Sequence, residues 1–218
     1  MSALEKPRAI FFDWDGTLAD SFSFLEAAHN HVLEQYGLPG FEKGGFAPYF
    51  GRPREEIYPA LYHDKADEAR GLFEVFVKEN HKEMLEPIHG AFECLQTVQR
   101  LQIPAGVVSN KLPAFVNGEV DHFGWRPFFL TVVGAREAAE DKPSAAPLLL
   151  GLERAGLNVA LESVWYVGDT VIDQKCAENA GARFIYIDHE NKPLEKAPDV
   201  SVENCFALRD FLLQYAGN

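Results

Sequence analysis

Ala9-Ile10-Phe11-Phe12-Asp13-Trp14-Asp15-Gly16-Thr17-Leu18 is the stretch on which the reading of this chain turns. Four apolar residues run without a break into an acid, a second acid two positions on, and a glycine. A short, unbroken apolar run suits a strand buried on both faces. Residues i and i+2 of an extended chain point to one face, so Asp13 and Asp15 leave the strand end side by side. Gly16 permits the tight turn that follows. Asp-Gly turns are common on protein surfaces; an Asp-x-Asp-Gly-Thr directly after a buried strand is much less so. Like charges this close raise each other's pKa unless a cation intervenes. With magnesium bound, one carboxylate can stay ionised as a nucleophile while the other cycles a proton.

The same pattern of an apolar run ending in small or polar residues recurs along the chain. Ala105-Gly106-Val107-Val108 precedes Ser109, and Leu130-Thr131-Val132-Val133 precedes Gly134. Val164-Trp165-Tyr166-Val167 precedes Gly168, and Arg183-Phe184-Ile185-Tyr186-Ile187 precedes Asp188. Between most of them lie helix-period segments; in Ala91–Leu101, Phe92, Leu95 and Val98 share one face. Strands alternating with helices predict a doubly wound, Rossmann-like α/β fold with a parallel sheet. Such sheets place their sites at the C-terminal ends of the strands.

One interval is too long for a single crossover. Residues 21–86 need structure of their own, because structureless loops beyond about 15 residues are uncommon. Leu25, Ala28, Val32 and Tyr36 keep a three-to-four spacing, as do Ala69, Phe73, Phe76, Val77 and Met84, while Pro39–Pro53 is rich in glycine and proline and reads as loop. The expected organisation is a core of residues 1–20 and 87–218, with a helical cap of residues 21–86 inserted after the first strand. A subdomain that only adds stability is the plainer reading of the insert; an insert at this edge of a sheet more often serves the site.

Composition narrows the functions. With 33 acids against 20 bases the 218-residue chain carries a net charge of −13. Such a chain repels nucleic acid at long range, and no basic run with interleaved aromatics offsets this. No stretch approaches the roughly 18 apolar residues of a membrane span, and the N-terminus lacks the apolar core of a signal peptide. The expectation is a cytoplasmic protein with neither nucleic acid nor membrane as partner. Cys94, Cys176 and Cys205 are scattered, without zinc-like spacing. A small anionic substrate stays possible if local cations reverse the field inside a cleft.

Three further motifs sit beside predicted strand ends. In Gly168-Asp169-Thr170-Val171-Ile172-Asp173, a helix beginning near Thr170 places Asp169 and Asp173 on one side. Acids at that spacing repel by about 0.2–0.5 kcal/mol, and a divalent cation reverses the sign; oxygen-only ligands suit magnesium. A helix N-terminus alone accounts for Asp169 but poorly for Asp173. In Val108-Ser109-Asn110-Lys111, Ser109 and Asn110 can hold phosphate oxygens or can be helix caps. In Asp141-Lys142-Pro143, Pro143 suits a first helical turn and would leave Lys142 at its mouth. Each of the last two decides nothing alone.

Taken together, and in this order, the four motifs resemble those of the haloacid dehalogenase superfamily, specifically its phosphatases with an early helical cap. The resemblance runs from Ile10 to about Ile187, and Ala19-Asp20-Ser21 extends the first motif as in phosphoglycolate phosphatase-like members. It implies that Asp13 attacks phosphorus and becomes an aspartyl phosphate, and that Asp15 protonates the leaving oxygen and then activates water. It further implies that Ser109 binds the transferring phosphoryl group with Asn110 nearby, and that Lys142 neutralises Asp13 and the phosphate. Mg2+ would be held by Asp13, Asp169 and the main-chain carbonyl of Asp15, with Asp173 as a ligand or just behind the ligands. The family's dehalogenases lack an acid at the place of Asp15, so dehalogenation is disfavoured.

Gly51-Arg52-Pro53-Arg54-Glu55-Glu56-Ile57 looks like the cap segment that faces the active site in related phosphatases. Arg52 and Arg54 are candidates for a substrate carboxylate or second anion; a solvated basic corner with Arg54 pairing Glu55 is the equal alternative. The expected partner is a small phosphorylated metabolite, and the expected state a monomer or homodimer. A sugar-phosphate mutase is the alternative within the same chemistry. A phospho-acceptor, receiver-like signalling domain is the alternative from another class; it is shorter and carries its acid pair and phosphoacceptor on different strands. Phe115, Phe123, Trp125, Phe128 and Phe129 read as core rather than contact surface.

Overall fold

A computed structural model describes residues 4–49, 54–188 and 193–216, without the side chain of Arg54. Contacts divide the chain into two compact units, Asp20–Glu86 and the remainder on either side of it. No helix of the described residues is long and apolar enough to cross a membrane.

The larger unit is built on six parallel strands: β1 Ala9–Phe12, β2 Ala105–Val108, β3 Thr131–Val133, β4 Val164–Gly168, β5 Arg183–Ile187 and β6 Val200–Val202. Their order across the sheet is β3-β2-β1-β4-β5-β6, the doubly wound arrangement that the alternation of strands and helices predicts. Register is set by pairs such as Phe12 with Val107 and with Val167. Chain direction across the sheet reverses beside β1, so the crevice at the carboxyl ends of β1, β2 and β4 is the place where such folds put their chemistry. Every residue of β1, β2 and β4 is buried, which is why these strands read as unbroken apolar runs.

Helices α4 (Ala91–Arg100), α5 (Pro113–His122), α6 (Ala146–Arg154), α7 (Val171–Ala180) and α8 (Cys205–Leu213) complete this unit. Phe11, Val108, Val133, Leu148, Tyr166, Cys176 and Phe184 belong to one continuous apolar cluster. Of the five aromatics read as core, Trp125 and Phe129 are buried and Phe115, Phe123 and Phe128 are half-buried. Two sequence expectations move. Leu130 is exposed and precedes β3 rather than belonging to it. Pro143 does not open a helix: α6 begins at Ala146, and Pro147 takes the early helical position. Between Lys142 and α6 the chain makes a turn, closed by Ser144 N donating to Asp141 O at 3.0 Å.

The second unit contains α1 (Ser21–Gln35), α2 (Arg54–Tyr62) and α3 (Ala66–Met84). Asp20 caps α1, accepting from Ser23 N at 3.0 Å and Ser23 Oγ at 2.7 Å. Ala28, Val32, Phe46, Tyr58, Tyr62 and Phe73 form its core. The described part of the glycine-rich stretch is held by Glu26, whose carboxylate accepts from Gly44 N at 3.0 Å and Phe46 N at 2.9 Å. Helix α2 escapes the periodicity argument because Pro59 lies inside it and proline reads as a helix breaker.

Candidate active site

Strand β1 delivers Asp13 to the crevice with its main chain fixed: Asp13 N donates to Val167 O at 2.8 Å. The chain then turns at once. Leu18 N and Ala19 N both donate to Trp14 O at 2.9 Å, and Gly16 adopts φ +83°. A Cβ on Gly16 would lie 2.6 Å from Asp169 Oδ2, so glycine is needed both for the left-handed backbone and for the close approach. That approach brings the first acidic motif against the last one, and Thr17 Oγ1 donates to Asp169 Oδ1 at 3.3 Å.

Asp169 directly follows β4, and Asp173 lies in the first turn of α7. Thr170 is the helix N-cap, with its hydroxyl and the Asp173 side chain bonding reciprocally across the first turn. A Cβ on Gly168 would fall 2.4 Å from Asp173 Cβ, so only glycine lets the helix start this close to the strand. One carboxylate oxygen each from Asp13, Asp169 and Asp173 lie within 4.8 Å of one another, and all three residues are buried.

Lys142 enters this acidic cluster. Its Nζ donates to Asp13 Oδ1 at 2.6 Å and to Asp173 Oδ1 at 2.7 Å, and its side chain is 4% exposed. It also lies 5.7 Å from the centre of the Tyr166 ring, and Tyr166 OH donates to Val108 O at 2.8 Å. Burial pushes the Asp13 carboxyl well above the usual carboxylate range; Lys142 opposes the rise, and Asp173, Asp169 and Asp15 add to it. Burial alone would lower the Lys142 ammonium, but Asp13 and Asp173 outweigh it and hold the group well above the ordinary lysine value. It therefore stays charged.

The other predicted residues fall as follows. Ser109 is buried at the end of β2, and its Oγ accepts from Lys111 N at 3.1 Å. The Asn110 side chain, a candidate for phosphate oxygens, bonds the main chain of Lys142. Its Nδ2 donates to Lys142 O at 2.9 Å, and its Oδ1 accepts from Lys142 N at 3.0 Å. Asn110 thus clamps the main chain that carries the buried lysine. Asp15, expected in the metal set through its main-chain carbonyl, accepts with its carboxylate Oδ1 from Lys111 Nζ at 2.8 Å. Arg52 lies outside the described residues, as does the side chain of Arg54.

Sequence reasoning missed Lys111 and Glu119. Lys111 Nζ bridges Asp15 Oδ1 and Glu119 Oε2, the latter at 2.7 Å, and Glu119 Oε2 also accepts from Trp14 Nε1 at 2.7 Å. Burial raises the Glu119 carboxyl against the pull of Lys111. The Lys111 ammonium, which burial lowers, is raised overall by Asp15 and Glu119. The available signal was the lysine itself, which directly follows Ser109-Asn110; a single glutamate within α5 carries none.

A buried acid cluster around an ammonium, at the carboxyl edge of a doubly wound parallel sheet, is the arrangement of an α/β protein whose candidate site is built from carboxylates. The chain belongs to the haloacid dehalogenase-like hydrolase family, whose model matches residues 10–187. Pyrophosphatase PpaX of Bacillus velezensis is 31% identical over 175 residues, covering 80% of each chain. Phosphoglycolate phosphatase 1 of Pseudomonas aeruginosa is 29% identical over 226 residues, covering 96% of this chain and 80% of its own. A haloacid dehalogenase-superfamily hydrolase of Geobacter sulfurreducens matches in fold, with a TM-score of 0.78 at 22% identity over 97% of this chain and 99% of its own.

Proposed function

We propose that the chain is a magnesium-dependent phosphatase of small phosphomonoesters, phosphoglycolate-like in substrate size and charge, working through an aspartyl phosphate on Asp13. The observation that carries the reading is the buried Lys142 ammonium bonded at once to Asp13 and Asp173. The acidic character of the chain otherwise opposes an anionic substrate. Family membership, and relatives named as phosphatases, support the same reading.

The donor set fits the cation. Three carboxylates around one ammonium leave an excess of negative charge that a divalent ion matches, and every candidate ligand atom is oxygen. Asp13 and Asp169 would hold Mg2+, with the main-chain carbonyl of Asp15; Asp173 would stand behind them, because its Oδ1 is already on Lys142 and its Oδ2 on Thr170. When bound, the ion neutralises charge on the phosphoryl oxygens.

The chain's own groups then divide the work. An Asp13 carboxylate oxygen attacks phosphorus in line with the leaving oxygen, and the P–O bond to the alcohol breaks as the new P–O bond forms. Asp15 gives its proton to the departing alkoxide. In the second half, Asp15 takes a proton from water, the water oxygen attacks phosphorus, and Asp13 is released with inorganic phosphate. Ser109 and Lys142 hold the phosphoryl oxygens through both halves.

The test is phosphate release from a panel of small phosphorylated metabolites, with and without Mg2+, by the wild type and by Asp13→Asn. The expected result is Mg2+-dependent release that Asp13→Asn abolishes, together with loss of acid-stable phosphate labelling of the protein. Near-normal turnover by Asp13→Asn would favour direct attack by water. No release from any phosphomonoester would overturn the proposal.

A further inference from the structure

Glu119 is a carboxylate in the wrong place. It lies on the inward face of α5 with Val116 and Val120, and its side chain is 1% exposed. A buried carboxylate is strongly disfavoured unless charges and hydrogen bonds compensate it. Its compensation is specific: Oε2 receives both Lys111 Nζ and Trp14 Nε1, each at 2.7 Å. Trp14 is fully buried, stacked on Phe123 at 5.8 Å and edge-on to Trp125 at 6.0 Å. The anchor is therefore rigid on both sides.

The same ammonium reaches Asp15 Oδ1 at 2.8 Å. One carboxylate oxygen of Glu119 thus grips the two residues that follow Asp13: Trp14 directly, and Asp15 through Lys111. The Asp15 side chain is 30% exposed. An exposed lysine–aspartate pair normally gains little, because two flexible chains must be ordered. Here the lysine is already ordered by a buried partner, so the pair costs less ordering than one between two exposed chains. Bonding Oδ1 fixes the carboxylate plane and hence the direction of Oδ2.

We propose that Lys111 and Glu119 are positioning residues that hold the Asp15 carboxylate in the orientation from which it exchanges a proton with the leaving oxygen and with water. The inference rests on the reading of Asp15 as acid and base. It assigns Lys111 a role different from that of Lys142: its charge is spent between two carboxylates of the chain, not on the substrate. Displacing a proton donor by about 1 Å costs on the order of 10²-fold in rate.

The experiment compares p-nitrophenyl phosphate, whose phenolate leaves without protonation, with an alkyl phosphate that the enzyme hydrolyses. The variants are Lys111→Met, Lys111→Met with Glu119→Gln, Asp15→Asn, and Asp15→Asn with Lys111→Met. The Lys111→Met change strands the Glu119 charge; the variant with Glu119→Gln removes both charges and keeps an acceptor for Trp14. Tryptophan fluorescence checks that each is folded.

Lys111→Met, alone or with Glu119→Gln, should lower kcat/KM for the alkyl phosphate by about 10²-fold but that for the aryl ester by less than about fivefold. Slow breakdown of the aspartyl phosphate should then appear as a burst of p-nitrophenolate. In the Asp15→Asn background, Lys111→Met should have no further effect. Equal losses on both substrates, as direct phosphate binding by Lys111 would give, overturn the proposal. So does a Lys111→Met effect that persists undiminished in Asp15→Asn. If Asp15→Asn itself retains wild-type rates on both substrates, the acid–base reading of Asp15 fails, and the positioning proposal with it.

Discussion

Replacing Lys142 with methionine keeps most of the side-chain volume and deletes one charge. In the wild type that charge lies 2.6 Å from Asp13 Oδ1 and 2.7 Å from Asp173 Oδ1, with all three side chains at least nine-tenths buried. Removing one member of a buried ion pair costs about 3–5 kcal/mol, because the partner is left without compensation. Here two carboxylates are left, so the upper part of that range is expected in the absence of metal. The loss must also depend on pH. Asp13 is already raised by burial with Lys142 present; without the ammonium that opposes the rise it goes higher. A carboxyl raised in the folded state binds more protons folded than unfolded, so its contribution is intact at low pH and is lost as pH climbs through the folded value. Lys142 stays charged throughout, since its own value is raised. The penalty of Lys142→Met should therefore be larger at about pH 8 than at about pH 5. Urea unfolding in EDTA, followed by tryptophan fluorescence, measures it, and Trp14, Trp125 and Trp165 are all buried in the sheet-bearing unit. A loss below about 1 kcal/mol at the higher pH, or one equal at both, would refute the claim that this ammonium compensates two buried acids.

EDTA should abolish phosphatase turnover and Mg2+ restore it, whereas Ca2+ should substitute poorly because its looser, larger coordination displaces the attacking oxygen; full activity in EDTA would sink the metal-dependent mechanism. Burial pushes the thiols of Cys176 and Cys205 up to about 12, and that of Cys94 well above the ordinary value. At about pH 8 the native protein should therefore be inert to a thiol-disulfide reagent, and all three cysteines should react in guanidinium; rapid reaction of the native state would contradict their burial. If Arg52 or Arg54 reads a substrate carboxylate, its change to alanine should lower the ratio of kcat/KM for phosphoglycolate over p-nitrophenyl phosphate by a factor equivalent to about 1.5–3 kcal/mol. An unchanged ratio in both variants would place specificity elsewhere.

What could be read in the sequence, and what could not, divides by the range of the interaction. Strands β1, β2 and β4 are legible because a strand buried on both faces has no polar alternation, and their carboxyl ends are legible because each run stops at chemistry-bearing residues. β6 is not: it has only three residues, and Ser201 between its valines is exposed. Thr170 is legible as a helix start because capping is local. By contrast, Asn110 offers the same amide whether it faces a phosphate or the main chain of a residue 32 positions away. Glu119 is the sharper case. In sequence it is one acid among 33, on a helix whose neighbouring valines mark an inward face but do not say what the face meets. Only the arrival of Trp14 from 105 positions upstream, and of Lys111 from the end of β2, turns an unfavourable buried charge into an anchor. Local patterns encode where the strands end; which side chain compensates which is decided when the strands are brought side by side.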